Sequence, residues 1–141
     1  MISIVPMEYL PFVWDDAEAH LRRFEKYSSG DYDVEEIWNE IQKGHQQLWI
    51  YVNDESEMIG AWTTRVFETP SKKLVEVFAV GGSNILTREN TREVMSMVEE
   101  FGKKNGCSVV QISGRRGWKK VLAPLGYEEK SIVIEKEIGH G

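Results

Sequence analysis

The stretch LVEVFAVGGSNILTRENTREVMSMVEEFGKKNGCSVVQI, residues 74–112, decides the fold. Its first seven residues predict a β-strand, and a pair of glycines then ends that strand. Apolar residues recur with helical spacing from Thr91 to Lys104, and a short apolar strand follows at residues 109–112. A strand, helix and strand of these lengths can form a parallel crossover, which should be right-handed.

Upstream of this passage, the sequence predicts two helices and an antiparallel meander. Residues 48–52 and 58–67 are rich in β-forming residues and are separated by a polar turn, while residues 2–5 predict a short edge strand. Spacings of three and four predict two amphipathic helices before residue 45, carried by Trp14, Ala17, Leu21 and Phe24 and by Val34, Ile37, Trp38 and Ile41.

Three capping pairs predict where the helices begin. A capping side chain is followed three residues later by glutamate in Asp15 with Glu18, Asp33 with Glu36 and Asn90 with Glu93. The first residue of such a pair accepts from a free backbone N–H of the opening turn, and the glutamate reaches back to the cap. Gly44 is placed to end the second helix.

The composition is that of a globular protein, and we predict a single domain over residues 1–141. No apolar run approaches the ~20 residues that a membrane span requires, and the first residues do not resemble a signal peptide. A single cysteine, Cys107, excludes an internal disulfide and suits a reducing compartment, so a cytoplasmic location is expected. The net charge of -6 argues against general nucleic-acid binding.

One basic turn, from Arg115 to Lys120, departs from this acidic character. It places four cations within six residues, namely Arg115, Arg116, Lys119 and Lys120. They could form a solvated helix face, or they could meet an acidic partner or a phosphate-bearing ligand. The sequence leaves both interpretations open.

The end of the chain carries the most specific family pattern. Residues 122–127, LAPLGY, resemble the Tyr-Glu-Lys-Leu-Gly-Phe type of ending, and residues 132–138, IVIEKEI, resemble a closing strand. Together with the order of elements, they resemble the GNAT superfamily of acetyl-CoA-dependent N-acetyltransferases over nearly the whole chain. The resemblance implies an α+β fold, with a mixed, mostly antiparallel sheet and helices on both faces. It also implies acetyl-CoA as the cofactor and an amine as the acceptor.

Two shorter phrases are similar to GNAT-like proteins encoded in tailed-phage genomes. They are Gln47-Leu48-Trp49, and Gly106-Cys107 running on to the Gly-Arg-Arg-Gly-Trp segment at residues 114–118. This similarity implies a phage-encoded protein that would act in the host cytoplasm.

The family's pyrophosphate loop has the form Arg/Gln-x-x-Gly-x-Gly/Ala, and the matching segment here is residues 81–88. The resemblance implies that the backbone of Val80, Gly81 and Gly82, with Arg88, holds the cofactor at a helix N-terminus. The segment departs from the pattern because Arg88 follows the glycines. Two glutamates at the same helix start would also repel a pyrophosphate, so a plain strand-to-helix loop is the alternative.

The catalytic base implied by the resemblance is Glu76, which lies on the strand where many family members place a glutamate. The alternation predicts that Leu74, Phe78 and Val80 share its face and partly bury it. A paired or solvated carboxylate is the alternative role for Glu76. Glu68, at the end of the preceding strand, is the second candidate.

The family often places a tyrosine, the acid for the leaving thiolate, four residues before the glycine of the Leu-Gly-Phe ending. Counting back from Gly126, this chain has Leu122 there, which has no proton to give. Tyr127 stands where the family has phenylalanine, and we expect it to pack with its hydroxyl exposed.

The remaining histidine and tryptophan side chains give weaker indications of function. The three histidines lack the spacing of metal ligands, and no metal is expected. The five tryptophans are expected in the core or on sheet faces, although an exposed pair would indicate an interface. Two functions therefore remain open. One is an N-acetyltransferase acting on a small-molecule or peptide amine. The other is a non-catalytic GNAT-fold binding or assembly protein that has a protein partner.

Overall fold

The computed structural model describes residues 1–25, 33–82, 88–113 and 117–139. In chain order the elements are β1 (Ile2–Ile4), α1 (Leu10–Glu25), α2 (Val34–Gln42), β2 (Gln47–Val52), β3 (Met58–Glu68), β4 (Lys73–Gly82), α3 (Arg88–Lys104), β5 (Val109–Ile112) and α4 (Gly117–Leu122). Short 3₁₀ turns precede α1 at Met7–Tyr9 and follow α4 at Ala123–Leu125.

The five strands form one sheet in the order β1-β2-β3-β4-β5. Neighbouring strands are antiparallel, except that β5 runs parallel to β4 across the α3 crossover. The α+β fold class and the mixed, mostly antiparallel sheet predicted from the sequence are confirmed.

Helices cover both faces of this sheet, and each face has its own apolar core. Helices α1 and α2 cover one face, where fully buried residues such as Ala17, Leu21 and Ile37 meet Leu48 and Ala61. Helices α3 and α4 cover the other face and contact a core that includes Trp49, Trp62, Val75, Val77, Val94, Val98 and Leu122. No helix among the described residues is long and apolar enough to cross a bilayer.

The predicted boundaries of α2 are confirmed. The Asp33 carboxylate accepts a 2.8 Å hydrogen bond from the backbone N–H of Glu36, as expected of an N-cap. Gly44 has a φ of 81°, in the left-handed region that costs glycine little, and it follows the last turn of the helix.

The predicted starts of the other two helices are wrong. Helix α1 already begins at Leu10, because the 3₁₀ turn before it runs directly into the helix, so Asp15 lies inside it. Helix α3 begins at Arg88, which places Asn90 inside the first turn. The Asn90 side chain instead accepts a 3.2 Å hydrogen bond from the Tyr51 hydroxyl.

The predicted closing strand at residues 132–138 is also wrong. Residues 127–139 have no regular secondary structure, and Ile132, Val133, Ile134 and Ile138 are 70 to 92% exposed. Alternating apolar residues form a strand only where a sheet edge accepts their backbone hydrogen bonds. Within the described residues the sheet ends at β5, and this segment forms no ladder with it.

Strand β4 contains a bulge at Phe78–Ala79, where two residues oppose the single Thr63 of β3. Ala79, the second residue of the bulge, contacts the core under α1 and α2, whereas Val80, just after the bulge, contacts the core under α3. The predicted alternation, which put Val80 on the face of Glu76, is therefore wrong. A strict period of two cannot reveal an inserted residue.

Candidate active site

The pairing of β4 with the parallel strand β5 stops halfway along β4, because β5 ends at Ile112. Their pairing runs from Leu74 opposite Val109 to Val77 opposite Ile112, and β4 then continues to Gly82 without β5. The bulge follows this last pair immediately. Beyond the bulge, β4 pairs with β3 on one side and has no strand on the other among the described residues. The cleft is the small space beside this part of β4, which α3, Ile112 of β5 and Trp118 of α4 enclose.

Side chains of the chain itself fill the floor of this cleft. The remaining space is about 10 Å³, and its lining residues are mostly apolar: Trp62, Val77, Val80, Thr91, Val94, Met95, Ile112 and Trp118. Such a volume is close to the minimum that holds one water molecule. A larger ligand could enter only if lining side chains such as Trp118, which is only partly buried on α4, move aside.

Two polar atoms at this cleft have no hydrogen-bond partner among the described residues. They are the indole nitrogen Nε1 of Trp62 and the hydroxyl Oγ1 of Thr91, and both residues are 1% exposed. Leaving a buried polar atom unpaired costs about 1–3 kcal/mol. A ligand oxygen that reached the cleft could accept from the Trp62 N–H. The sequence carries no signal for this pair, because its pattern predicts Trp62 only as a core or sheet-face residue.

The structure brings three of the four predicted cofactor residues to the end of the cleft. Val80 lines it, and Gly81 and Gly82 continue β4 beyond the last residue that pairs with β5. Arg88 is the first residue of α3, and residues 83–87 lie outside the described part of the chain.

Close packing against helix α1 explains why residue 81 is a glycine. A Cβ atom at this position would lie 1.8 Å from the carbonyl oxygen of His20 and 2.4 Å from its carbonyl carbon. The imidazole Nε2 of His20 lies 2.9 Å from the carbonyl oxygen of Met58, which ties the same part of α1 to β3. A side chain is therefore excluded at residue 81 whether or not a cofactor binds.

Glu76, the predicted base, is buried on the opposite face of the sheet from Trp62. It is 7% exposed, and its carboxylate is ion-paired with Arg65, its cross-strand neighbour on β3. The Arg65 guanidinium also lies 4.1 Å from the ring centroid of Phe78. The predicted burial of Glu76 is confirmed, but the sequence did not indicate that Arg65 would hold it.

The second candidate base, Glu68, lies far from the cleft. It is exposed at the last residue of β3 and pairs with Lys73, the first residue of β4. The bulge lies near the other end of the same ladder. This position favours Glu76 over Glu68 as a group that could serve the cleft.

A carboxylate also occupies the start of α3, as the sequence indicated. The Tyr51 hydroxyl donates to Asn90 and, at 3.4 Å, to Oε2 of Glu93. Desolvation of the Tyr51 hydroxyl and the neighbouring charge of Glu93 both raise the pKa of Tyr51. An anion bound at this helix start would have to tolerate the Glu93 charge.

No proton donor stands at the position of the family's acid. Leu122 is a core residue with 2% exposure. The expectation of an exposed Tyr127 hydroxyl is wrong, because it donates a 2.7 Å hydrogen bond to Oε2 of Glu99 on α3. The left-handed conformation of Gly126, with a φ of 91°, ends the last 3₁₀ turn just before Tyr127.

The Tyr127–Glu99 hydrogen bond yields a prediction for alkaline pH. Burial, with the hydrogen bond to Glu99, raises the pKa of Tyr127 well above its usual value. A raised folded-state pKa gives stability that is complete below the unfolded-state pKa, about 10, and is lost as the pH rises above it. Tyr127→Phe should cost about 1 kcal/mol of unfolding free energy at pH 7.

Urea unfolding at pH 7, 10 and 11 measures this effect. The difference in stability between wild type and Tyr127→Phe should shrink above pH 10. Tyr9→Phe is the control, because Tyr9 is 55% exposed, and it should leave stability unchanged. A constant difference between wild type and Tyr127→Phe across this range would contradict the prediction.

The basic turn is described only at its C-terminal half. Lys119 and Lys120 are exposed on α4, and Lys119 Nζ lies 3.8 Å from Oε1 of Glu129. Arg115 and Arg116 lie outside the described residues. The sequence-based alternatives for this turn therefore stay predictions.

Comparison with known proteins bears on the fold. No protein-family model matches the sequence, and no curated protein matches it. Among solved structures, an acetyltransferase of Trypanosoma brucei matches with a TM-score of 0.68 at 7% identity, covering 98% of this chain and 99% of that chain. A crystal structure described as a probable acetyltransferase matches with a TM-score of 0.71 at 8% identity, covering 100% of this chain and 98% of that chain.

A third similar structure is an aminoglycoside acetyltransferase from an uncultured soil metagenomic sample, in complex with sisomicin. Its TM-score is 0.70 at 11% identity, covering 99% of this chain and 96% of that chain. Identities this low establish shared architecture only. The chain has the fold of the GNAT-like acetyltransferases.

Proposed function

We propose that this protein is an N-acetyltransferase that transfers the acetyl group of acetyl-CoA to an amine. The observation that carries the proposal is the end of the β4–β5 pairing at Val77, beyond which β4 continues to Gly82 with a bulge directly after this last pair. An unpaired stretch of strand backbone offers N–H and C=O groups to a ligand that contains amides. The fold shared with acetyltransferases supports the same function.

Once Trp118 had moved aside, the residues at the cleft would offer such a cofactor hydrogen-bonding groups. When bound, acetyl-CoA supplies an activated acetyl thioester on an arm that contains amide groups. The backbone of Val80, Gly81 and Gly82 would hold that arm, and the unpartnered N–H of Trp62 would donate to one of its carbonyl oxygens. Arg88, at the start of α3, would meet the pyrophosphate.

Glu76 would accept the proton that the amine loses when its nitrogen bonds to the acetyl carbon. Arg65 holds the Glu76 carboxylate in place, so Arg65 is a positioning residue. Leu122, at the position of the family's acid, could not protonate the departing thiol group, so water would have to supply that proton. Positioning of the two substrates would then supply much of the rate.

The proposal is tested by following thiol release from acetyl-CoA with a panel of primary amines. Glu76→Gln keeps a polar group beside Arg65 and should lower kcat about 100-fold or more at neutral pH, with acetyl-CoA affinity retained. Unchanged turnover in Glu76→Gln, with a loss in Glu68→Gln, would move the base to Glu68. Absence of thiol release with every amine would contradict the enzymatic proposal.

A second candidate is a non-catalytic binding or assembly protein built on the same fold. The filled cleft, with about 10 Å³ of remaining space between Trp62 and Trp118, favours it. The partner would then be a protein, and the exposed lysines of α4 would be a surface to test. Charge reversal at Lys119 should abolish partner capture in that case. The phage origin stays a prediction from two short phrases.

A further inference from the structure

A second cavity lies on the opposite face of the sheet, between α2 and the ends of β2 and β3. Its volume is about 440 Å³, which is enough for a small organic ligand. Apolar atoms make up most of its lining surface, but five of its six lining residues have polar or charged ends: Glu36, Ile37, Glu40, His45, Gln46 and Arg65. None of these residues was singled out as a functional candidate in the sequence.

The turn after α2 builds one wall of this cavity. The backbone N–H groups of His45 and Gln46 both donate to the carbonyl oxygen of Glu40, at 2.9 and 3.3 Å, which folds the turn onto the helix end. Gln47 is paired with Thr64 in the β2–β3 ladder. Because the strands are antiparallel, Gln46 comes next to Arg65 at the end of that ladder.

Gln46 is the feature that indicates a ligand. It is 6% exposed, and its Oε1 has no hydrogen-bond partner among the described residues. The Oε1 of the adjacent Gln47 is paired by contrast, since it accepts from the Thr64 hydroxyl, which in turn accepts from the Trp49 indole N–H. An unpaired buried acceptor costs about 1–3 kcal/mol, and a ligand N–H would remove that cost.

The charges around Gln46 select the class of ligand. Glu36 and Glu40 are four residues apart and therefore lie on the same side of α2. Arg65 is ion-paired with Glu76, so its charge is already matched by another carboxylate. The Glu40 carboxylate lies 2.6 Å from Nδ1 of His45, which holds it at the cavity wall. The site presents acceptors and negative charge, which suits a cation with several N–H donors.

We propose that this cavity binds a small organic amine with two or more ammonium groups. One ammonium donates to Oε1 of Gln46, and the others pair with the carboxylates of Glu36 and Glu40. Arg65 lines the cavity and holds Glu76, so the bound amine lies on the same face as the proposed base. That this amine is also the acetyl acceptor rests on the proposed function, whereas its binding does not.

Calorimetric titration of the whole protein with spermidine, a triamine, tests the proposal. Wild type should bind spermidine with a Kd below about 1 mM, and Gln46→Met and Glu40→Gln should each weaken binding about tenfold. Gln46→Met should leave the unfolding free energy equal or higher, because it removes an unpaired buried acceptor. A neutral diol of similar length should give no binding.

Glu100→Gln is the matched control, because it removes the same charge from an exposed position on α3. It should bind spermidine like wild type. The proposal is overturned if wild type gives no heat, if Gln46→Met binds like wild type, or if Glu100→Gln weakens binding as much as Glu40→Gln. A separate acetyl-CoA titration distinguishes failure of the amine site from failure of the proposed enzymatic function. Spermidine binding without acetyl-CoA binding would remove only the proposed enzymatic function, and the reverse would remove only this amine site.

Discussion

Gly81→Ala is expected to lower the free energy of unfolding by more than about 4 kcal/mol, or to prevent folding altogether. The added Cβ would lie 1.8 Å from the carbonyl oxygen of His20, a distance that no side-chain movement can relieve, because the obstacle is backbone. Helix α1 cannot shift easily, since Ala17 and Leu21 are fully buried beneath it. Urea unfolding of the purified variant measures the loss.

Two other glycines provide a graded control for Gly81→Ala. A Cβ at Gly139 would meet nothing within 4 Å, so Gly139→Ala should leave stability unchanged. At Gly102 the nearest atom is a methyl carbon of Val75 at 3.0 Å, which can adjust, so Gly102→Ala should give a smaller loss than Gly81→Ala. A loss at Gly81 no larger than that at Gly139 would show that α1 does not approach β4 as described.

Arg65→Met is expected to lower the free energy of unfolding by about 3 kcal/mol, because it leaves the buried carboxylate of Glu76 without its counter-charge. Glu76 is 7% exposed, so water cannot readily replace the lost guanidinium. The substitution also removes the contact between Arg65 and the ring of Phe78. Adding Glu76→Leu should restore much of the loss, since the double variant no longer buries an unpaired charge.

The exposed ion pair of Lys130 with Glu128 is the matched comparison. Their side chains are 79% and 73% exposed, so Lys130→Met should leave the free energy of unfolding nearly unchanged. The four proteins are compared by urea unfolding at one pH and ionic strength. Equal losses for Arg65→Met and Lys130→Met would mean that the Arg65–Glu76 pair is not desolvated in solution.

The sequence predicted the fold well because the fold depends on hydrophobic periodicity. The three main helices carry apolar residues at spacings of three and four, and β4 alternates up to the bulge, whereas β2, β3 and β5 are runs of β-forming or apolar residues. The failures have local causes. The bulge at Phe78–Ala79 inserts one residue without changing composition, and residues 132–138 carry a strand pattern that finds no edge.

The sequence predicted a site residue only where its position along a single strand was enough to place it. Glu76 and Val80 could be placed on β4 from the sequence, and the structure locates them near the bulge. The sequence could not predict roles for Arg65, Thr91 and Gln46, because their roles depend on neighbours that are distant in sequence. Gly81 shows the opposite case. The family resemblance predicts it as a cofactor-binding glycine, but the close approach of α1 already excludes a side chain at this position.

The proposal that acetyl-CoA binds beside the part of β4 that continues past β5 is tested most directly by calorimetric titration of the protein with that ligand. The account predicts micromolar binding, about -8 kcal/mol, that weakens in Trp62→Phe because the buried N–H donor is lost. Absence of binding at millimolar acetyl-CoA would contradict it. The cleft would then be a packed core between Trp62 and Trp118, and the fold would serve a non-catalytic function.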